Sequence, residues 1–153
     1  MKKLFLILPL SGLLLFSCKE KPVEAPKPTQ TAPLSEKPKE EAVSDKGIGP
    51  ITEVKLGPID QNLVKKGKEI FDSKCASCHK LEEKYVGPPL KGVTKRRKPE
   101  WIMNMILNPS EMVQKDPVAK QLLSEYLTQM TFQNVSQDDA RAILEYLRSV
   151  DEK

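Results

Sequence analysis

The sequence predicts an all-α domain, and three features of its second half carry that reading. Four segments place apolar residues at helical spacing, a proline or a capping side chain stands where most of them begin, and nothing alternates convincingly with period two. The helical part, residues 59–153, is 95 residues long and enough for one small core. It holds no visible internal repeat, so one domain is expected.

The elements follow in chain order. Gln61 to Lys74 sets Leu63, Val64, Ile70 and Phe71 on or near one helical face. Pro99 suits the first turn of a helix running to about Leu107, because the N–H it lacks is not needed there, and Asn108-Pro109 ends that helix. Pro117 starts a segment through Tyr126 with Leu122 and Leu123 as apolar anchors. The last helix is the clearest. Ser136 is its N-cap, Asp138 and Asp139 occupy the first turn, and Ala140, Ile143, Leu144 and Leu147 share a buried face.

Chemistry concentrates at Cys75-Ala76-Ser77-Cys78-His79. Two thiols three positions apart can each add across one vinyl group of a single haem, and the next histidine then sits under the iron. C-x-x-C-H is the attachment signature for haem c. The chain has one histidine, and it falls where the motif needs it. A redox dithiol is the first rival, but it wants a βαβ setting, and no strand-rich segment flanks the pair. Zinc is the second, and a closed structural zinc site needs four ligands where the motif provides three.

Residues 59–150 resemble class I cytochromes c. Gly67-x-x-x-Phe71-x-x-x-Cys75-x-x-Cys78-His79 is similar to the family's first helix running into its haem motif. Gly67, Phe71 and Tyr146 match the small and aromatic positions where the family crosses its first and last helices. Gly87-Pro88-Pro89-Leu90 is similar to the turn after the haem motif. The resemblance implies that the Pro88 carbonyl accepts the Nδ1–H of His79 and so fixes the ring's tautomer. It also implies a helical domain built around one covalent haem.

The single histidine excludes a bis-histidine haem. Of five methionines, Met1 is expected to leave with a signal peptide, and Met103 and Met105 fall inside a predicted helix, where methionine is usually core filler. Met112 follows Asn108-Pro109-Ser110 in an expected loop and is the weaker candidate. Met130 stands six residues before the Ser136 cap, where class I cytochromes place their axial methionine. Thr131 follows it where the family often has proline. The resemblance therefore implies Cys75, Cys78, His79, Pro88 and Met130 as the cofactor set, with His79 and Met130 on the metal. Thioether ligation stabilises ferrous iron and raises the potential, which suits a carrier.

The first half of the chain concerns location. Residues 1–17 read as a signal peptide, with Lys2 and Lys3 before an apolar run too short for a comfortable membrane span. Leu15-Phe16-Ser17-Cys18 resembles a bacterial lipoprotein box, which implies a lipid on Cys18 and a mature chain starting there. Residues 18–58 are rich in Pro, Lys and Glu and poor in large apolar side chains, so they read as a disordered tether. Fully extended, such a tether reaches on the order of 120 Å. Within it, residues 46–51 (Lys-Gly-Ile-Gly-Pro-Ile) are less polar and are a candidate for packing on the domain. Export fits haem attachment, which in bacteria takes place outside the cytoplasm. The expected location is the cell envelope, facing the periplasm or the exterior.

The formal net charge of +4 hides a split. From Lys74 to Lys98, eight basic residues stand against two acidic ones, a net of +6; from Pro99 onward five stand against nine, a net of −4. The run Lys95-Arg96-Arg97-Lys98 reads either as a rim that steers an acidic redox partner or as a solvated loop touching anionic lipid. Nucleic acid is not an expected partner of an exported lipoprotein. Trp101 reads as a core aromatic, with a hydrogen bond to a haem propionate as the other option.

These readings converge on a tethered single-electron carrier between donor and acceptor proteins, not an enzyme. The chain also resembles cytochrome c lipoproteins encoded beside periplasmic copper reductases such as nitrous-oxide reductase. That resemblance implies such a reductase, or a terminal oxidase, as acceptor. Two other classes stay open: a haem enzyme or gas binder with a free sixth site, and a haem subunit fixed in a larger oxidoreductase.

Overall fold

Each helix begins where something satisfies or removes the backbone N–H groups that a first turn leaves without partners. In the computed structural model, which describes residues 45–153, six helices are found: α1 (Gln61–Lys74), α2 (Val93–Arg96), α3 (Pro99–Leu107), α4 (Pro109–Lys115), α5 (Pro117–Tyr126) and α6 (Gln137–Asp151). Asp60 caps α1 by accepting from Asn62 N–H at 2.8 Å and Leu63 N–H at 3.3 Å. Proline opens α3, α4 and α5, and Asp116 adds a bond from Ala119 N–H at 2.8 Å. Ser136 and Asp139 form a reciprocal capping box on α6. The short α2 borrows its cap from far along the chain: Asp151 accepts from the Gly92 N–H, and from Thr94 N–H at 2.9 Å.

The architecture is all-α, and the described residues contain no strand. The four predicted helices are present. Two short ones, α2 and α4, come in addition. The expected loop around Met112 is the second of these, because Asn108-Pro109 both ends α3 and starts α4.

α1 and α6 cross closely. A Cβ on Gly67 would lie 1.9 Å from the Ala142 carbonyl oxygen, so hydrogen alone fits there. One turn further on, Phe71 and Tyr146 meet with ring centroids 5.4 Å apart, tilted at 54°. Glu145, fully buried in α6, ties the crossing down. It accepts from Asp60 N–H at 3.1 Å, from Arg148 at 2.8 Å and from Arg141. Burial works to raise its carboxyl, and these donors outweigh that and leave it below the ordinary glutamate value. Nearby, the Lys66 ammonium and the capping bonds pull the Asp139 carboxyl down to about 2.

The folded unit begins upstream of the expected boundary at Ile59. Residues 46–54 form a strap whose backbone is held by polar side chains of α3 and α4. Asn104, 1% exposed, donates to the Lys46 carbonyl at 3.0 Å and the Ile51 carbonyl at 2.9 Å, and accepts from Ile51 N–H at 2.9 Å. Glu100 accepts from Val54 N–H at 3.0 Å, and Ile51 itself enters the core. Residues 46–51, set apart within the expected tether as less polar and a candidate for packing on the domain, do pack there. Satisfied backbone groups, which composition does not register, hold them in place. Residues 1–44, including the expected signal peptide, Cys18 and most of the expected tether, lie outside the described residues. Among the described residues no helix is long and apolar enough to cross a membrane.

One helix end departs from the usual. α5 is capped by Leu127 in the left-handed region (φ 53°, ψ 19°), with its N–H donated to the Leu123 carbonyl at 2.9 Å. Glycine is the common residue at such a cap, and a side chain there costs about 1–2 kcal/mol.

The crossing gives a direct test. Gly67→Ala forces a methyl group onto the Ala142 backbone and should destabilise the domain by about 3 kcal/mol or more. Urea unfolding of the haem-loaded protein, followed by far-UV circular dichroism, measures this; an unchanged midpoint would mean that α1 and α6 are free to separate.

Candidate functional site

The last turn of α1 delivers the reactive residues. Cys75 N–H and Ala76 N–H both donate to the Phe71 carbonyl at 2.9 Å, then Cys78 N–H (3.0 Å) and His79 N–H (2.9 Å) both donate to the Cys75 carbonyl. This tight coil turns Cys75, Cys78 and His79 toward one cavity, which all three line. Cys75 and Cys78 are not joined in a disulfide. Cys75 is partly sunk in an apolar wall, and burial, assisted by the neighbouring Cys78, pushes its thiol up to about 11.

The chain then folds back beneath the imidazole. Gly87 N–H donates to the Cys78 carbonyl at 2.8 Å, and Leu90 N–H to the Lys80 carbonyl at 3.0 Å. A Cβ on Gly87 would stand 2.5 Å from His79 Cε1, so this glycine makes room for the ring. His79 Nδ1 lies 3.0 Å from the Pro88 carbonyl. A carbonyl can only accept, so the ring proton of this bond sits on Nδ1 and the Nε2 lone pair is left for a metal.

The cavity has a volume of about 420 Å³, inside the range of roughly 300–1,000 Å³ usual for ligand and cofactor sites. Its lining is drawn from every helix but α6's two ends and is mostly apolar, with Phe71, Ile102, Ile106, Leu123, Ile143 and Leu147 prominent. Met130, partly buried, lines the same cavity as His79. Met112 does not. It is fully buried in α4, and its sulfur accepts the Ile48 N–H of the strap at 3.0 Å.

One buried polar atom is left over. Trp101, 5% exposed, lines the cavity, and its indole Nε1–H has no hydrogen-bond partner. An orphan donor of this kind costs about 1–3 kcal/mol. The Arg97 guanidinium lies 5.4 Å from the centre of the indole ring, and Arg96 and Arg97 both line the cavity. Two members of the charge run thus stand at the edge of the cavity: Arg97 is half-buried, and Arg96 is exposed and donates to the Lys91 carbonyl at 2.9 Å. Of the rest, Lys98 pairs with Asp45 at 2.6 Å. An apolar slot with two thiols at one wall, a tautomer-fixed imidazole, an unpaired indole N–H and two guanidiniums in its lining fits a planar macrocycle bearing two carboxylates, as haem is. Among the described residues, no group of three or more His, Cys, Asp or Glu is gathered to hold a bare metal ion.

Fold and cavity together define a helical haem-binding domain of the c type. The family model described as cytochrome c matches residues 64–151. A solved cytochrome c from Rhodothermus marinus is 50% identical, with a TM-score of 0.69, over 71% of this chain and 94% of that one. An engineered form of a Rhodothermus marinus cytochrome c, solved bound to a carbene intermediate, is 48% identical over 71% and 96%, with a TM-score of 0.66. A cytochrome c domain from Pseudomonas putida is 29% identical over 57% and 89%, with a TM-score of 0.53. No curated protein sequence matches. The chain belongs to the cytochrome c family. It is a monohaem class I member that binds one covalent haem c, and its family is one of electron transfer.

The sequence reading named the cysteines, the histidine and the proline, but missed Gly87 as the floor under the ring and the place of Arg96 and Arg97 in the cavity lining. The signal for Gly87 was its place immediately before Pro88 in the turn. Gly87→Ala should push the imidazole off the Pro88 carbonyl and reduce haem incorporation severalfold. Pyridine haemochrome yield per polypeptide checks this, and an unchanged yield would show that the loop gives way at no cost.

Proposed function

We propose that this protein is a membrane-tethered carrier of single electrons between respiratory redox proteins on the outer side of a bacterial membrane. When bound, the haem iron supplies a one-electron couple between its ferrous and ferric states. The residues proposed to hold it are Cys75 and Cys78 as thioether donors, and His79 and Met130 as axial ligands. Trp101 Nε1–H, with Arg96 and Arg97, is proposed to receive the carboxylates. Pro88 holds the histidine proton on Nδ1. The apolar wall excludes water, which keeps reorganisation on electron transfer small.

The observation that carries the carrier reading is the separation of the two methionines. Met130 opens on the cavity, whereas the Met112 sulfur is already used by the strap. A chain that supplied both His79 and Met130 to the iron would leave no position there for a substrate. A second reading, a haem enzyme with a free sixth site, has one observation behind it: the engineered Rhodothermus marinus relative is bound to a carbene intermediate. Support for the tether comes from the lipoprotein-like run ending at Cys18 and the proline-rich sequence after it. A periplasmic copper reductase such as nitrous-oxide reductase, or a terminal oxidase, is the acceptor that the lipoprotein resemblance favours.

Two experiments test this. Met130→Ala should abolish the weak far-red sulfur-to-iron absorption, lower the potential and admit carbon monoxide, while Met112→Ala should keep the band and instead lower stability by about 2–5 kcal/mol. Rapid carbon monoxide binding by the wild type would favour the enzyme. Cys18→Ala should release a folded, haem-loaded protein into the soluble fraction; retention on membranes in high salt would point away from a lipid anchor.

A further inference from the structure

We infer that Lys74 is a positioning residue for Met130: with Gln133 and Thr131 it forms a hydrogen-bonded brace that keeps the thioether at the cavity. The inference rests on the reading of Met130 as an axial ligand and specifies what holds that ligand in place.

The segment between α5 and α6 has little else to fix its shape. Among the described residues, no backbone–backbone hydrogen bond reaches residues 128–135. Leu127 and Asn134, both left-handed (φ 53° and 52°), turn the chain at either end. Val135 is buried, and Met130 packs partly buried against the core. Between these two apolar contacts, Thr131, Gln133 and Asn134 are polar, and Phe132 is exposed. Thr131 does not fix the backbone φ as a proline would, so any constraint just after Met130 must come from bonding.

Three hydrogen bonds supply it. Lys74 Nζ donates to the Gln133 carbonyl at 3.1 Å. Gln133 Nε2 donates in turn to the Thr131 carbonyl at 3.0 Å and to Thr131 Oγ1 at 2.9 Å. The brace therefore runs from the last residue of α1, next to Cys75, to the residue that follows Met130. Lys74, Thr131, Gln133 and Met130 all line the cavity. Among the described residues, the Lys74 bond is the one hydrogen bond that joins residues 128–135 to another element. It refers Met130 to the same helix that carries the haem motif, and that helix is fixed by the Gly67 crossing.

The magnitude decides what such a bond can do. Exposed to water, it adds little to the stability of the whole domain. Its effect is on the opening of one loop, a far smaller free energy than global unfolding, and there a bond from a charged donor counts. Losing it should free the thioether more often while the domain stays folded.

The test measures carbon monoxide binding to the reduced, haem-loaded, full-length protein in detergent by stopped flow. This gas is uncharged, so removing a cation does not alter its approach. Lys74→Ala should bind it about tenfold faster than the wild type, the factor expected for one charged-donor bond. Lys74→Arg, which keeps the donor, should return to within about threefold of the wild type. Gln133→Leu should also be faster, and adding it to Lys74→Ala should gain no more than about twofold, because both act through one brace. Lys84→Ala removes a cation that lies over the Tyr126 ring and should stay within about twofold. The thermal midpoint of Lys74→Ala should move by less than about 5 °C. An unchanged rate in Lys74→Ala, an equal gain in Lys84→Ala, no recovery in Lys74→Arg, or a larger fall in the midpoint would each overturn the brace while leaving the ligand reading intact. A wild type without the far-red sulfur-to-iron band, or a Met130→Ala variant that retains it, would instead overturn the ligand reading, and the brace with it.

Discussion

The approach of α1 to α6 at Gly67 sets where the other parts of the site sit. With a Cβ position 1.9 Å from the Ala142 carbonyl oxygen, the two backbones meet without side chains between them. From that fixed point, eight residues of α1 lead to Cys75, so the helix acts as a rigid rod that aims the haem motif. On the other side of the crossing, α6 presents Ile143 and Leu147 to the cavity, and its last residue, Asp151, reaches the start of α2. α2 in turn carries Arg96. A single close contact thereby registers the thiols, the apolar wall and one of the guanidiniums against each other. The buried Glu145 cluster serves the same end, since it binds the Asp60 N–H at the entry of α1 to both arginines of α6.

The cavity joins two demands that conflict in water. Its wall is apolar, which favours a large hydrophobic ring, yet two carboxylates must come with that ring. Polar groups are accordingly a minority of the lining: Trp101 with Arg96 and Arg97, and Lys74 with the polar side chains of residues 128–133. An indole N–H without a partner is unfavourable in an empty core and favourable beside an anion, so this atom marks a place prepared for a group the polypeptide does not contain. The imidazole is prepared in a different way. Gly87 clears its floor, and the Pro88 carbonyl fixes its proton on Nδ1.

Much of this could be read from the sequence because each signal was local. Proline at a first turn, Ser136 before two aspartates, and C-x-x-C-H each act within a few residues, and the four helices they announce are present. The parts that escaped depend on contacts distant in sequence. α2 is too short to show a period, and its cap is Asp151, 57 residues from Thr94. The strap is held by Asn104, 53 residues from Ile51. Nothing in the local composition of Gly47 or Gly49 shows that a Cβ there would strike Met112 or Asn104. The place of Arg96 and Arg97 in the cavity lining belongs to the same class, since a charge run looks alike whether or not it borders a cavity.

The two candidate methionines make the same point energetically. Each is a thioether, a weak acceptor with little preference between a backbone N–H and a soft metal. Position in the chain favoured Met130, which precedes the capped last helix, over Met112, which follows a proline turn. What separates them is the strap, which offers Met112 a hydrogen bond from Ile48 N–H and packs Gly47 against it, so that its sulfur is both occupied and enclosed. Withdrawing it would leave that N–H buried without a partner and open a hole in the core, two costs that add. The Met130 sulfur has no such attachment. Residues 46–54 therefore bear on the site itself: by occupying the Met112 sulfur they withdraw it from the cavity, which Met130 lines from its loop and Met105 from α3.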